Sequence, residues 1–130
     1  MGEALPPDER EHTRVRVSVY VEVEAEGARR AGYLQDLSLG GFFLPCRPPL
    51  AVGARCRCSI FIAGPSADAV VAVAGRVARN SVLGCAIVLD AIEDRRSREQ
   101  LQRLLLAYSD DPAALEREFR RDEARRTGSD

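Results

Sequence analysis

The chain has 130 residues, enough for one domain with a single modest core, and its 45% hydrophobic and 30% charged content is that of an ordinary globular protein. The formal net charge is −1, from 20 acidic residues and 19 basic residues that are all arginine, and this balance argues against nucleic-acid binding. No apolar run approaches the ~20 residues of a membrane span, and the N-terminus MGEALPPDER is acidic rather than signal-like. We therefore expect a cytoplasmic protein without membrane insertion.

The first predicted elements are a flexible lead, residues 1–9, and a long strand. The segment RVRVSVYVEVEAEG places valines at every second position from Val15 to Val23 and polar residues between them. Alternation with β-branched residues predicts a half-buried strand with one solvated face. Gly27 ends this strand.

Five further strands are predicted at short intervals, at residues 31–37, 41–46, 54–63, 68–79 and 83–89. Proline, glycine and asparagine clusters separate them and indicate turns. Six antiparallel strands with short connections predict a mainly β fold, a closed or nearly closed small barrel.

The apolar pattern becomes helical after Asp94. Four apolar or aromatic residues recur there at helical spacing, Leu101, Leu104, Leu105 and Tyr108. We expect this helix to pack on the barrel, because a narrow apolar face alone does not hold a helix in water. The barrel and this helix together form the predicted domain, residues 10–109.

A second helix is predicted to begin at Asp111 and Pro112, a favourable cap and first helical residue. Its body offers little more than Leu115 and Phe119 for packing. We expect residues 110–130 to form a charged C-terminal helix or tail, either partly solvated or used to dock a partner.

Catalytic and metal-binding signatures are absent from the sequence. The four cysteines, Cys46, Cys56, Cys58 and Cys85, include a C-x-C pair without a second pair or a nearby histidine, which does not match zinc-ligand spacing. Reduced, buried thiols are expected instead. The sequence predicts no enzyme, no metal and no cofactor.

The stretch QDLSLGGFFL combines a strand end with a carboxylate, a hydroxyl and two glycines. If the strand reaches Ser38, then Asp36 and Ser38 lie on one face, where they can read a guanine edge. Gly41 permits a positive φ or the close approach of a flat ligand. A simple tight turn is the alternative.

An R-x-x-x-R spacing, Arg10 and Arg14, precedes the first strand, with Asp36 22 residues beyond Arg14. Two guanidiniums on one segment can grip phosphates in bidentate fashion and stack on bases. Solvated charge flanking a strand is the alternative for the arginine pair alone.

The combination of R-x-x-x-R, a long strand and D-x-S-x-x-G resembles the PilZ domain family, bacterial receptors for the second messenger cyclic di-GMP. The resemblance covers about residues 10–108, and GCAIVLD, residues 84–90, looks like the family's last strand. It implies a six-stranded split barrel with a C-terminal helix. It also implies a receptor that changes its N-terminal segment and surface on ligand binding to regulate a protein partner.

The resemblance further implies that Arg10 and Arg14 contact phosphate and stack on guanine. Asp36 and Ser38 then read a guanine edge, and Gly41 permits close backbone approach.

Two more arginines are candidates in the same site. Arg79 falls near the place where many relatives carry an aromatic residue beside the ligand. Arg16 is two residues after Arg14, so in a strand both would lie on the same face. Glu9 stands where many relatives that bind a stacked ligand pair carry another arginine, so one ligand per chain is at least as plausible as two.

Two other functions stay open from the sequence. Some relatives keep the barrel as an interaction module that binds no nucleotide. A nucleic-acid-binding barrel ranks last, since such sites use aromatic stacking platforms and the chain has four Phe, three Tyr and no Trp.

Overall fold

The described part of the chain folds into six antiparallel strands followed by two helices. The structure, a computed structural model, describes residues 12–63 and 69–128, with side chains up to residue 124, so the predicted lead lies outside it. The strands are β1 (Val15–Ala25), β2 (Ala28–Leu37), β3 (Gly41–Pro45), β4 (Arg55–Phe61), β5 (Val70–Ser81) and β6 (Gly84–Ile92). The helices are α1 (Arg95–Tyr108) and α2 (Pro112–Gly128). The predicted fold class is confirmed, with strand ends that shift by up to three residues.

The strands form one sheet in the order β2-β1-β4-β5-β6-β3, and every neighbouring pair is antiparallel. The two outermost strands, β2 and β3, are consecutive in the chain and contact each other. The sheet therefore curls into a nearly closed barrel, which leaves little strand edge exposed to other chains.

The barrel core is built from the alternate residues of each strand. Along β1 the valines from Val15 to Val23 are buried while their neighbours are exposed or half-buried, as the alternation predicts.

The four cysteines are free thiols. Three of them are buried in this core, Cys56, Cys58 and Cys85, and Cys46 is half-buried. Burial and the neighbouring Cys85 raise the pKa of the Cys46 thiol to about 11. Cys46 therefore stays protonated at neutral pH.

Helix α1 is tied to the barrel at its first turn and along its leucine stripe. Asp94 caps the helix by accepting a hydrogen bond from the Ser97 N–H at 2.7 Å. The hydroxyl of Ser97 accepts another from the Ala72 N–H of β5 at 3.0 Å. The stripe residues Leu101, Leu104 and Leu105 are buried, whereas Tyr108, at the last helical position, is 58% exposed. The leucine stripe is therefore buried, as expected.

Helix α2 also packs against the rest of the chain. Asp111 accepts a hydrogen bond from the Ala114 N–H at 3.2 Å, as expected of a helix cap. Leu115 is fully buried and Phe119 is 7% exposed. Between these two lies Glu118, which is also only 7% exposed. One side of α2 is therefore docked, although it offers few apolar residues.

Strand β3 begins at Gly41, where the chain passes very close to β6. Gly41 has φ of +151°, and a Cβ atom at this position would overlap the carbonyl oxygen of Ile87. The positive φ expected from the sequence is confirmed, and the close approach is to β6. Only glycine fits here without moving one strand away from the other.

We predict that Gly41→Ala lowers the free energy of unfolding by more than about 2 kcal/mol, because the overlap with Ile87 adds to the backbone strain. Gly53→Ala is the matched control, since Gly53 also has positive φ, +88°, but no atom lies within 4 Å of the position that its Cβ would take. The control is expected to lose only about 1 kcal/mol. Urea unfolding of both variants measures the difference, and equal losses would contradict this account of Gly41.

Candidate ligand-binding cleft

The described residues enclose a cleft of about 360 Å³ beside the β2–β3 turn, the C-terminal end of β5 and the N-terminal half of β6. Five of the predicted site residues line it, contributed by the segment before β1, the end of β2, the turn, the start of β3 and the end of β5: Arg14, Asp36, Ser38, Gly41 and Arg79. These groups are far apart in the sequence, and the barrel brings them together around one cavity.

Two other predicted site residues, Arg16 and Arg10, are not found among the cleft-lining residues that the structure describes. Arg16 is directly opposite Asp36 in the β1–β2 register, so both side chains leave the same side of the sheet. Arg16 is exposed and is not among the described residues that line the cleft. Arg10 lies outside the described residues. Their roles stay predictions.

The turn between β2 and β3 is held by the side chain of Ser38. Its hydroxyl accepts hydrogen bonds from the Gly40 N–H at 3.1 Å and the Gly41 N–H at 3.2 Å, and lies 3.2 Å from the Gly41 carbonyl oxygen, to which it can donate. The Ser38 N–H donates to the same carbonyl at 3.1 Å. These contacts use the one donor and both acceptor sites of a hydroxyl.

Strand β2 ends at Leu37, so the condition for Asp36 and Ser38 to share a strand face is not met. Ser38 is buried and turns into the bend, whereas Asp36 is half-buried at the cleft wall. The structure thus favours the turn for Ser38, and Asp36 is the member of the pair whose carboxylate is not used by the turn.

A row of three residues across β3, β6 and β5 forms another part of the cleft wall. Phe43 and Arg79 are both register partners of Ala86, one on each side. Strand spacing places their Cα atoms about 10 Å apart, with only a methyl group between them. Phe43 is 42% exposed, so its ring is available to a ligand. We call the space over Ala86, between Phe43 and Arg79, the slot.

Phe43 and Ala86 are not among the site residues predicted from the sequence. A signal for Phe43 was present, because a strand that begins at Gly41 and buries Phe42 must turn Phe43 outward. The position of Ala86 depends on the pairing of three strands, which one sequence does not reveal.

The cleft combines charge of both signs with an aromatic surface. The guanidiniums of Arg14 and Arg79 suit an anion, with the planar, bidentate geometry that phosphate prefers. The carboxylate of Asp36 suits a pair of N–H donors on a ring edge. In the residues that the structure describes, no group of three or more His, Cys, Asp or Glu side chains is placed to hold a metal ion.

A membrane-spanning helix, long and apolar enough for a bilayer, is not found in the described part of the chain.

Comparison with known proteins agrees with this architecture. The model of the PilZ domain family matches residues 8–107, most of the chain, and the chain therefore belongs to the PilZ domain family. None of the curated proteins compared with the chain matches it in sequence.

Two solved structures are similar in fold. One is the Inhibitor of motility (MotI/DgrA) of Bacillus subtilis, with a TM-score of 0.56 and 17% sequence identity. The match covers 79% of this chain and 56% of that one, so this chain spans little more than half of its length. The other is the PilZ domain of CeSA from a cellulose synthesizing bacterium, with a TM-score of 0.54, 18% identity and coverage of 73% and 96% respectively. At these identities the likeness concerns the fold.

We predict that Ser38→Ala lowers the free energy of unfolding by about 1–2 kcal/mol, because the hydroxyl holds a largely buried turn. Ser18→Ala, on the exposed side of β1, is the matched control and should change stability by less than about 0.5 kcal/mol. Thermal and urea unfolding measure both. Equal stability of the two variants would show that the hydroxyl does not hold the turn.

Proposed function

We propose that this chain is a cytoplasmic receptor for cyclic di-GMP that regulates a bacterial protein partner and catalyses no reaction. The observation that carries the proposal is the convergence of Arg14, Asp36 and Arg79 on one cleft of a PilZ-domain barrel. The ligand that the family resemblance implies has phosphates for the arginines and guanine bases for the carboxylate and the slot.

The phosphates are assigned to the segment before β1. Arg14 lines the cleft from this segment, and Arg10 belongs to the same motif, four residues earlier in the sequence. Each charge-assisted hydrogen bond to a phosphate contributes roughly 1.5–3 kcal/mol, which offsets part of the cost of ordering the segment. The N-terminal segment then closes over the ligand and changes the surface of the barrel.

A guanine base is assigned to Asp36 and the slot over Ala86. The Asp36 carboxylate accepts from the N1–H and N2–H groups of guanine, a pair of donors that adenine lacks. A base that lies over Ala86 has the Phe43 ring on one side and the Arg79 guanidinium on the other. Aromatic and cation–π stacking both favour this position.

One ligand molecule per chain fits the cleft better than a stacked pair. The cleft volume of about 360 Å³ is near the lower end of the roughly 300–1,000 Å³ typical of ligand pockets. Glu9 and Glu11, which flank Arg10 in the sequence, add negative charge where a second ligand would bring more phosphate.

An isothermal titration with cyclic di-GMP tests the proposal. We predict saturable binding near one ligand per chain, weakened at least about tenfold by Arg14→Ala and by Asp36→Ala, because each removes a charged partner of the ligand. Arg95→Ala, at a residue whose side chain is 90% exposed on α1, is the control and should leave the affinity unchanged. Absence of heat and of any spectral change at high micromolar ligand would contradict the proposal and favour an interaction module that needs no nucleotide.

A second prediction separates the slot from the charged groups. Ala86→Leu should weaken cyclic di-GMP binding at least about tenfold, because the larger side chain fills the space between Phe43 and Arg79 without removing a charge. Ala91→Leu places the same side chain at an exposed position of the same strand and serves as the control. If both variants bind like the unaltered chain, the base does not occupy the slot.

A further inference from the structure

The residues just before Arg14 are held by helix α2 from the far end of the chain. The buried carboxylate of Glu118 accepts the Thr13 N–H at 2.9 Å and 3.1 Å through its two oxygens. The Thr13 hydroxyl donates to the same carboxylate. This contact joins positions 105 residues apart and holds the residue immediately before Arg14 of the cleft.

His12 makes a second connection between α2 and the cleft. Its Nε2 atom lies 3.8 Å from the Oδ1 atom of Asp122, one helical turn beyond Glu118. Its ring also packs over Gly40, where an added Cβ would lie 2.7 Å from Nδ1. Gly40 is itself a cleft residue. The segment therefore lies between α2 and the β2–β3 turn.

We propose that α2 is the positioning element for Arg14, with Glu118 as its main contact, so that ligand occupancy of the cleft and docking of α2 are coupled. We name the contacts of Thr13 with Glu118 and of His12 with Asp122 the α2 clamp. The proposal rests on the proposed function, because it concerns the affinity of the same cleft for cyclic di-GMP.

The physical basis is the cost of ordering a chain segment. A segment that is already held beside the cleft loses less conformational freedom when Arg14 binds phosphate, so the clamp raises the affinity without touching the ligand. Neither Glu118 nor Asp122 is among the described residues that line the cleft, so their charges hold the segment without occupying the phosphate position.

Coupling of this kind is reciprocal. If docked α2 favours ligand binding, then bound ligand stabilises the docking of α2 by the same factor. Glu118 is a buried carboxylate in a helix that is rich in charged residues, and its neighbour Arg117 is exposed. A buried carboxylate is stable only when hydrogen-bonded, so the Thr13 donors are needed for α2 to dock in this position.

The test combines hydrogen exchange with titration of cyclic di-GMP on the full chain. The variants are Glu118→Gln, Thr13→Val and the double variant, with Glu116→Gln, an exposed position of the same helix, as the matched control. Thr13→Val keeps the backbone donor and removes only the hydroxyl, so it reports on the clamp even if Glu118→Gln lowers stability. Exchange is followed at residues 12–15 and along α2, with and without cyclic di-GMP.

We expect Glu118→Gln to speed exchange at residues 12–15 and to weaken ligand binding at least about fivefold, with no such change in Glu116→Gln. We also expect cyclic di-GMP to slow exchange along α2 in the unaltered chain, and the double variant to be less affected than the two single changes combined.

Unchanged affinity in Glu118→Gln and Thr13→Val, or α2 exchange that does not respond to cyclic di-GMP bound by the unaltered chain, would overturn the proposal. Failure of the unaltered chain to bind cyclic di-GMP would instead refute the proposed function, and the coupling with it. Exchange at residues 12–15 would then show separately whether Glu118 holds the segment.

Discussion

The turn between β2 and β3 is the constraint on which the cleft depends. Ser38 closes this turn by taking two backbone N–H groups, and Gly41 lets β3 lie against β6 at a distance that no side chain allows. Because the turn joins the two outermost strands of the sheet, it also closes the barrel. Asp36 at the end of β2 is thereby held on the same cavity as Phe43 and Arg79. An opened turn would separate the carboxylate from the slot.

The residues of the motif D-x-S-x-x-G therefore have different structural roles. Ser38 and Gly41 are occupied by backbone contacts within the barrel, and the half-buried Asp36 is the member that offers a functional group to the cleft. The arginines come from elements outside the turn, Arg14 from the segment before β1 and Arg79 from β5. A rigid turn with charged groups brought to it by neighbouring elements suits the ligand binding that we propose for this cleft.

Much of the fold was predictable from the sequence. The valine alternation of β1 and the leucine spacing of α1 reflect the two periods of secondary structure, and both elements appear where these periods place them. The gathering of Arg14, Asp36 and Arg79 was predictable only through the family resemblance, because spacing along one chain does not show which strands become neighbours. The predicted strand end at Leu37 is confirmed, but the possibility that the strand reaches Ser38 is not, since a serine hydroxyl that closes a turn looks in the sequence like a serine that continues a strand.

The clamp was not predictable for a related physical reason. Glu118 lies among the arginines and glutamates of a strongly charged helix, where a carboxylate is ordinarily solvated. Its hydrogen-bond partner, Thr13, belongs to the opposite end of the chain. The apolar residues Leu115 and Phe119 were visible in the sequence, but their small number did not indicate that the helix docks. Long-range polar contacts have no periodic signature.

The most direct test of the central claim is to map where cyclic di-GMP binds by amide chemical shifts in two-dimensional NMR spectra. The account predicts that the shift changes cluster at Arg14, around the turn from Asp36 to Phe43, and at Arg79 and Ala86. Shift changes centred on another surface, or no shift changes at high micromolar cyclic di-GMP, would contradict it.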